Sequence, residues 1–266
     1  MHRVLVSAHR GGVGRDHALQ NTLRGIQHAI HVGADYVEID VQRCRDGVFV
    51  LHHDSDLVAE GARAPIPTMT SDQVRAMRPD VPLLREALAA MQGRIKAHVD
   101  LKFGSSRAAY ADPESTYEVE ACREIVGAMG AAGVIVTCGD RKARAVRAWS
   151  RQEAPQMLVG LSVGHSLWQG SPPASLKVLC GDLFPGRRLR HTRANALSAH
   201  RLVARLAVAR YASRHRLPLL VWTVDARRPL ARWMVDPRVW MVTSNYPDRA
   251  LAARTTSVDL PTVPAR

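Results

Sequence analysis

The chain has 266 residues, 46% hydrophobic and 23% charged, with 18 Gly and 15 Pro. This ordinary composition excludes a disordered, collagen-like or coiled-coil chain and leaves room for one α/β barrel or two smaller domains. Lys+Arg 37 against Asp+Glu 24 leaves a formal charge of +13, with the arginines scattered and aromatic residues at 5%, so a nucleic-acid platform is disfavoured and most of the charge reads as compositional background.

Short apolar or β-branched runs alternate with longer segments of helical period. Strands are expected at Arg3–Ala8, Asp35–Val41, Val48–Leu51, Arg94–Leu101, Val134–Cys138, Met157–Leu161, Leu176–Cys180, Leu219–Val224 and Val239–Thr243. Helices are expected at Leu19–His31, Ser71–Met77, Leu84–Met91, Pro113–Gly130, Arg141–Ser150, Ser198–His215 and Arg228–Trp233. Such alternation reads as a mostly parallel sheet. The stretch between Val41 and Val48 is too short for a parallel crossover and carries Asp46-Gly47, a turn signal. Val48–Leu51 therefore folds back as a hairpin, and the eight remaining strands suit a (β/α)8 TIM barrel with a short hairpin excursion after the second strand. The alternative is an open doubly wound sheet, for which Gly11-Gly12-Val13-Gly14 lacks the dinucleotide-loop spacing.

The barrel is expected over residues 1–250, with 251–266 as a tail that frays at Leu260–Arg266 and a loop-like stretch at Gly164–Pro173. No secretory leader and no apolar run of membrane-spanning length are read. The four cysteines lack metal or disulfide spacing and read as reduced core thiols. Together these features point to a cytoplasmic protein with no transmembrane segment. Nothing in the sequence bears on oligomeric state.

Four polar clusters fall at expected strand ends, where barrel enzymes place their chemistry. His9-Arg10-Gly11-Gly12 closes the first strand; its glycines let backbone amides approach an anion, and Arg10 suits a phosphate clamp. Glu38 and Asp40 share one face of the second strand. Read alone, they fit either a solvated strand edge or an oxygen-ligand site for Mg²⁺ or Ca²⁺. With Asp46-Gly47 as a two-residue turn, His53 falls opposite Asp40, and a slip of one residue brings His52 instead. Asp100 and Lys102 close the Arg94–Leu101 strand; alone they are a surface ion pair, and beside the other clusters a third carboxylate ligand and a cation aimed at phosphate. His28, His31, His191, His200 and His215 read as solvated, and Trp222 as barrel core.

In this order, HRGG, QNT, GADYVEIDVQRCRDGVFVLHHD, VPLLREAL, HVDLK, VWTVD and VTSNYPD resemble the glycerophosphodiester phosphodiesterase family, from His9 to about Asp248. The resemblance implies a TIM barrel hydrolysing a small-molecule or lipid-derived phosphodiester to glycerol 3-phosphate and an alcohol, with Mg²⁺ or Ca²⁺. It implies His9 and His53 as the acid/base pair, Glu38, Asp40 and Asp100 as metal ligands, and Arg10 and Lys102 on the phosphate. Three positions depart from the family pattern. Gln20 stands where the family has glutamate, Asp100 where most members have Glu, and Cys44, read as packing, where Thr is usual. The alternatives are a phospholipase D-like enzyme acting on lysolipid or sphingolipid head groups and a degenerate barrel binding a polyanion. Direct hydrolysis and a cyclic-phosphate route are both open.

Overall fold

The structure, a computed structural model, describes residues 3–59, 61–164 and 172–256. Strand β1 (Leu5–Ala8) and helix α1 (Leu23–His31) lead into β2 (Tyr36–Arg43), the short β3 (Phe49–Leu51), the hairpin β4–β5 (Asp56–Ala59 and Ala62–Pro65), α2 (Ser71–Met77) and α3 (Leu84–Met91). The alternation then runs β6 (Lys96–Leu101), α4 (Tyr117–Met129), β7 (Val134–Cys138), α5 (Asp140–Glu153) and β8 (Leu158–Val163). After β8 come α6 (Pro172–Leu183), α7 (Gly186–Thr192) and β9 (Ala196–His200). Helix α8 (Arg201–Val203) continues through a π-helical stretch (Ala204–Val208) into α9 (Ala209–Arg214). Strand β10 (Leu219–Trp222), α10 (Arg227–Trp233), β11 (Met241–Ser244) and α11 (Pro247–Thr256) complete the chain.

Parallel pairing proceeds β1–β2–β6–β7–β8–β9–β10–β11 and returns to β1, closing an eight-stranded barrel. Two stretches take the other secondary structure from the one expected, and β4, β5, α7 and α11 add to the expected elements. Leu176–Cys180 lies inside helix α6, and the strand that fills its place is β9, whose second half the helical period had claimed. A short apolar run such as LKVLC carries no period that separates strand from helix. Strand β9 is rich in Ala and Ser, and it is extended because Gly160–Val163 of β8 and Leu219–Trp222 of β10 pair with its two edges. Residues 165–171 and 257–266 lie outside the described residues.

Strand parity sorts the side chains into two cores. Outward residues such as Val37, Ile39, Val99, Val136, Val159 and Val221 pack under the helices. Inward residues Tyr36, Ile135, Ala196, Leu220 and Met241 plug the lower end of the barrel. Two residues further along each strand the inward positions become polar: Glu38, Thr137, Ser198, Trp222 and Thr243 line the upper interior. The polar cleft is therefore the mouth of a packed barrel and not a pore.

The excursion after β2 is larger than a hairpin. Cys44, Val50, Leu57, Ile66, Val74, Val81 and Leu83 form a separate small core, which is the packing role read for Cys44. Cys122 and Cys138 are also buried, whereas Cys180 is exposed on α6, contrary to the core-thiol reading. The β2–β3 turn also departs from expectation. Cys44 N–H donates to Val48 O at 2.8 Å and Gly47 sits at φ +87, so the loop has three residues and the register pairs Val41 with Leu51. Asp46 is drawn aside because its Oδ2 accepts from both the amide and the hydroxyl of Ser71, at the start of α2.

Gly11 (φ +94) spends its conformational freedom on close packing: a Cβ there would lie 2.7 Å from the Gly25 backbone of α1. A methyl group has no flexible neighbour to displace, and its own backbone region is unfavourable. Gly11→Ala is expected to destabilise the fold by about 2–4 kcal/mol, read as a lower urea midpoint at unchanged m-value.

Candidate active site

Arg10, at φ 51, turns the chain after β1 so that its amide donates to Glu38 Oε2 at 2.8 Å. Its guanidinium Nε lies 2.9 Å from Asp40 Oδ2, and its Nη1 donates to Gln20 Oε1 at 3.2 Å. Lys102 Nζ lies 2.6 Å from Asp100 Oδ2 and 3.1 Å from Asp40 Oδ1. Both cations therefore hold carboxylates, and both remain about one-fifth exposed at the cleft.

Asp40 is the hub of this array. Its carboxylate also accepts from Asn21 Nδ2 while its amide donates to Asn21 Oδ1, each at 2.9 Å. Burial works against its charge, but Lys102 and Arg10 outweigh that effect and hold the carboxyl at about 2. Glu38 is pushed well above the usual carboxylate range by burial and then by the Asp40 charge. For Lys102, burial is overcome by Asp100 and Asp40, which raise its pKa.

Oxygen atoms of Glu38, Asp40 and Asp100 lie within 4.8 Å of one another. Two oxygens on one Ca²⁺ stand at most about 5 Å apart at bond lengths of 2.3–2.6 Å, so the set fits a hard divalent cation. The buried Asp40 Oδ1 takes no hydrogen bond among the described residues and meets only the Lys102 ammonium. With a divalent cation held by the three ionised acids, Arg10 and Lys102 would leave the site net positive, in favour of an anionic substrate.

The two candidate histidines line the same cleft, of about 390 Å³. His9 Nδ1 pairs with Asn245 Oδ1 at 2.8 Å, and Asn245 Nδ2 donates to Asp225 Oδ2 at 2.8 Å. Asp225 can only accept, so it fixes the amide orientation and makes His9 Nδ1 the donor. His9 Nε2 then presents its lone pair to the cleft, 3.9 Å from Glu38 Oε2. Burial first, and the Arg10 charge second, lower the His9 pKa.

His53 also faces the cleft, although not by the register argument. The observed pairing sets His52 against Asp40, with His52 N–H donating to Asp40 O at 3.0 Å. Strand β3 ends at Leu51, and the chain then leaves the sheet and turns His53 inward. His53 Nδ1 pairs with Asp54 Oδ1 at 2.7 Å, while His52 Nδ1 donates to the Asp54 carbonyl.

Several cleft residues escaped the sequence reading. His98 is buried between Ser7 Oγ (3.0 Å) and Thr137 Oγ1 (3.2 Å), and burial holds its ring down at about 3. It lies two residues before Asp100, so strand parity was the available signal. His200 was read as solvated; it lines the cleft and packs edge-on against Trp222 at 5.3 Å. Trp222, half-buried, packs on the lower core as read and also lines the cleft above it. Asn21 and Asn245 act on the site from loops, where no period marks them.

A profile of the glycerophosphoryl diester phosphodiesterase family matches residues 9–249. The chain belongs to this family. Among curated relatives, a bovine glycerophosphodiester phosphodiesterase 1 is 36% identical over 102 residues, covering 33% of this chain and 30% of its own. A mouse lysophospholipase D is 41% identical over 54 residues, 20% of this chain and 16% of its own. The matched segments thus span less than a third of either relative. Solved members of the family share the barrel. A Parabacteroides distasonis glycerophosphodiester phosphodiesterase has TM-score 0.73 at 19% identity, covering 97% of this chain and 99% of its own. An Oleispira antarctica phosphodiesterase, solved with sn-glycerol-3-phosphate as product, has TM-score 0.65 at 18% identity over 94% and 96%. Among the described residues no helix is long and apolar enough to cross a membrane.

Proposed function

We propose that this chain is a metal-dependent phosphodiesterase that hydrolyses glycerophosphodiesters to glycerol 3-phosphate and an alcohol by His/His acid-base catalysis. The observation that carries the reading is the convergence, at one barrel mouth, of three acidic oxygens within 4.8 Å, two histidines and two cations. Glu38, Asp40 and Asp100 would hold Mg²⁺ or Ca²⁺, which when bound supplies Lewis-acid polarisation of a phosphate oxygen. Arg10 and Lys102, on the rim of that cluster, neutralise charge growing on the phosphoryl oxygens.

The hydrogen-bond chains divide the histidine roles. His9, with Nδ1 committed to Asn245, has a free Nε2 lone pair and accepts the proton of the attacking hydroxyl. His53 has the Asp54 carboxylate as counter-charge for an imidazolium and protonates the leaving alkoxide through Nε2. The base must be neutral, and the His9 pKa is lowered from 6.5. Activity therefore persists as pH falls to 6.5 and is lost only below it. A pH profile of kcat/KM is expected to show an acidic limb with its midpoint under 6.5; a midpoint above 7 would remove His9 from the base role.

The deciding experiment is a panel of glycerophosphodiesters and lysolipids scored for glycerol phosphate release with and without chelator. Release from glycerophosphocholine should stop on chelation and return with Mg²⁺ or Ca²⁺; release unchanged by chelator would exclude the metal. Lysolipid head groups are the second reading, favoured by apolar side chains left exposed beside the mouth. Val178 lines a hollow shared with Asp100 and Lys102, and Leu202 and Leu206 follow His200. Faster release from lysolipid micelles than from glycerophosphocholine would favour it.

A further inference from the structure

A groove on the outside of the barrel, between α5 and α7, gathers arginines that lie far apart in the sequence. Its walls carry Arg144, Arg151 and Gln152 from α5 and Arg190, His191 and Arg193 from the end of α7, around about 630 Å³. No acidic residue lines it. Ten other arginines pair with Asp or Glu, among them Arg3, Arg10, Arg43 and Arg188. The four of the groove form no ion pair among the described residues. Asp140, at the start of α5, is taken by Arg188, and Glu153 at its end does not line the groove.

Helix C-termini attract single cations, but four guanidiniums facing one hollow repel each other and call for counter-charge. Arg147 adds a fifth beside them: its Nε donates to Arg193 O at 3.2 Å. Burial, and then the Arg151 charge, lower its pKa. The shape and lining narrow the ligand. No Phe, Tyr or Trp lines it to give a base a stacking platform. Ala148 is the one apolar residue, so nothing is available to insert into a bilayer. Guanidiniums on facing walls suit phosphate oxygens, which they bind in bidentate fashion.

We propose that the α5–α7 groove is a binding site for a compact soluble polyphosphate anion, separate from the catalytic cleft. The two hollows share no lining residue. Arg151 and Arg190–Arg193 sit at the C-terminal ends of their helices, and these ends return toward the barrel face opposite the mouth.

Titration calorimetry of the full chain with inorganic tripolyphosphate, in chelator and at low salt, tests this. Saturable one-to-one binding that weakens as salt rises is expected. Arg151→Glu with Arg190→Glu should lower the affinity at least about 100-fold, because two charged hydrogen bonds are lost and two cations become anions. Arg151→Gln with Arg190→Gln should give a smaller loss in the same direction and serves if the reversal melts the protein. Arg24→Glu with Arg228→Glu, an equal change of net charge at exposed positions on α1 and α10, should change the affinity less than about threefold. The proposal is overturned by absence of binding at millimolar tripolyphosphate, by an equal loss in the control pair, or by a loss in Lys102→Met that the groove variants do not share. Binding to anionic vesicles without binding to free tripolyphosphate would overturn it as well.

Discussion

His53→Ala is expected to lower kcat for glycerol 3-phosphate release from glycerophosphocholine by about 10²–10⁴-fold, with the thermal midpoint unchanged. The two readouts separate because of where His53 sits. Its side chain is 41% exposed and pairs with the neighbouring, largely exposed Asp54, so its loss leaves no buried group unsatisfied. His9→Ala should remove comparable activity and also some stability, because Asn245 loses the acceptor role it plays for His9 Nδ1 inside the Asp225 network. Full metal-dependent activity in His53→Ala would end its assignment as the acid. A large fall in melting temperature in the same variant would recast it as a structural residue.

The other large effect concerns Asp40. Asp40→Ala strips Arg10 and Lys102 of a shared counter-charge and leaves Asn21 without its carboxylate partner. Breaking a buried ion pair from one side costs about 3–5 kcal/mol, and the urea midpoint should fall accordingly. Asp40→Asn keeps the shape and part of the Asn21 pairing and should cost less. Both variants remove one of three oxygen ligands from a charged set, so calorimetry should show Ca²⁺ or Mg²⁺ binding weakened by at least about tenfold. A stable Asp40→Asn protein that binds the cation as tightly as the parent would show that the cation sits elsewhere.

Gln20, where the family pattern has glutamate, lies between Arg10 and His17. Its amide oxygen accepts from Arg10, and its nitrogen pairs with His17 at 3.2 Å. The neutral side chain orients the guanidinium without drawing off its charge, so Arg10 keeps its electrostatic hold on Asp40.

The sequence by itself determined the alternation of strands and helices, the foldback after the second strand, and the pairing of Glu38 with Asp40 and of Asp100 with Lys102 on common faces. Each of these is a local property: a period of two or 3.6, or a connection too short to cross a sheet. Tertiary structure alone decided the rest. Strand β9 is extended because two neighbours demand it, although its Ala-Ser composition has little preference of its own. The β2–β3 turn has three residues rather than two, and Asp46 within it bonds to Ser71, twenty-five residues away. His53 reaches the cleft because the chain leaves β3 after Leu51, and Asn21 and Asn245 reach it from loops. The charge follows the same division. Its total was legible from composition, whereas the meeting of Arg144 and Arg151 with Arg190 and Arg193 required two helices to pack side by side, which no count of scattered arginines contains.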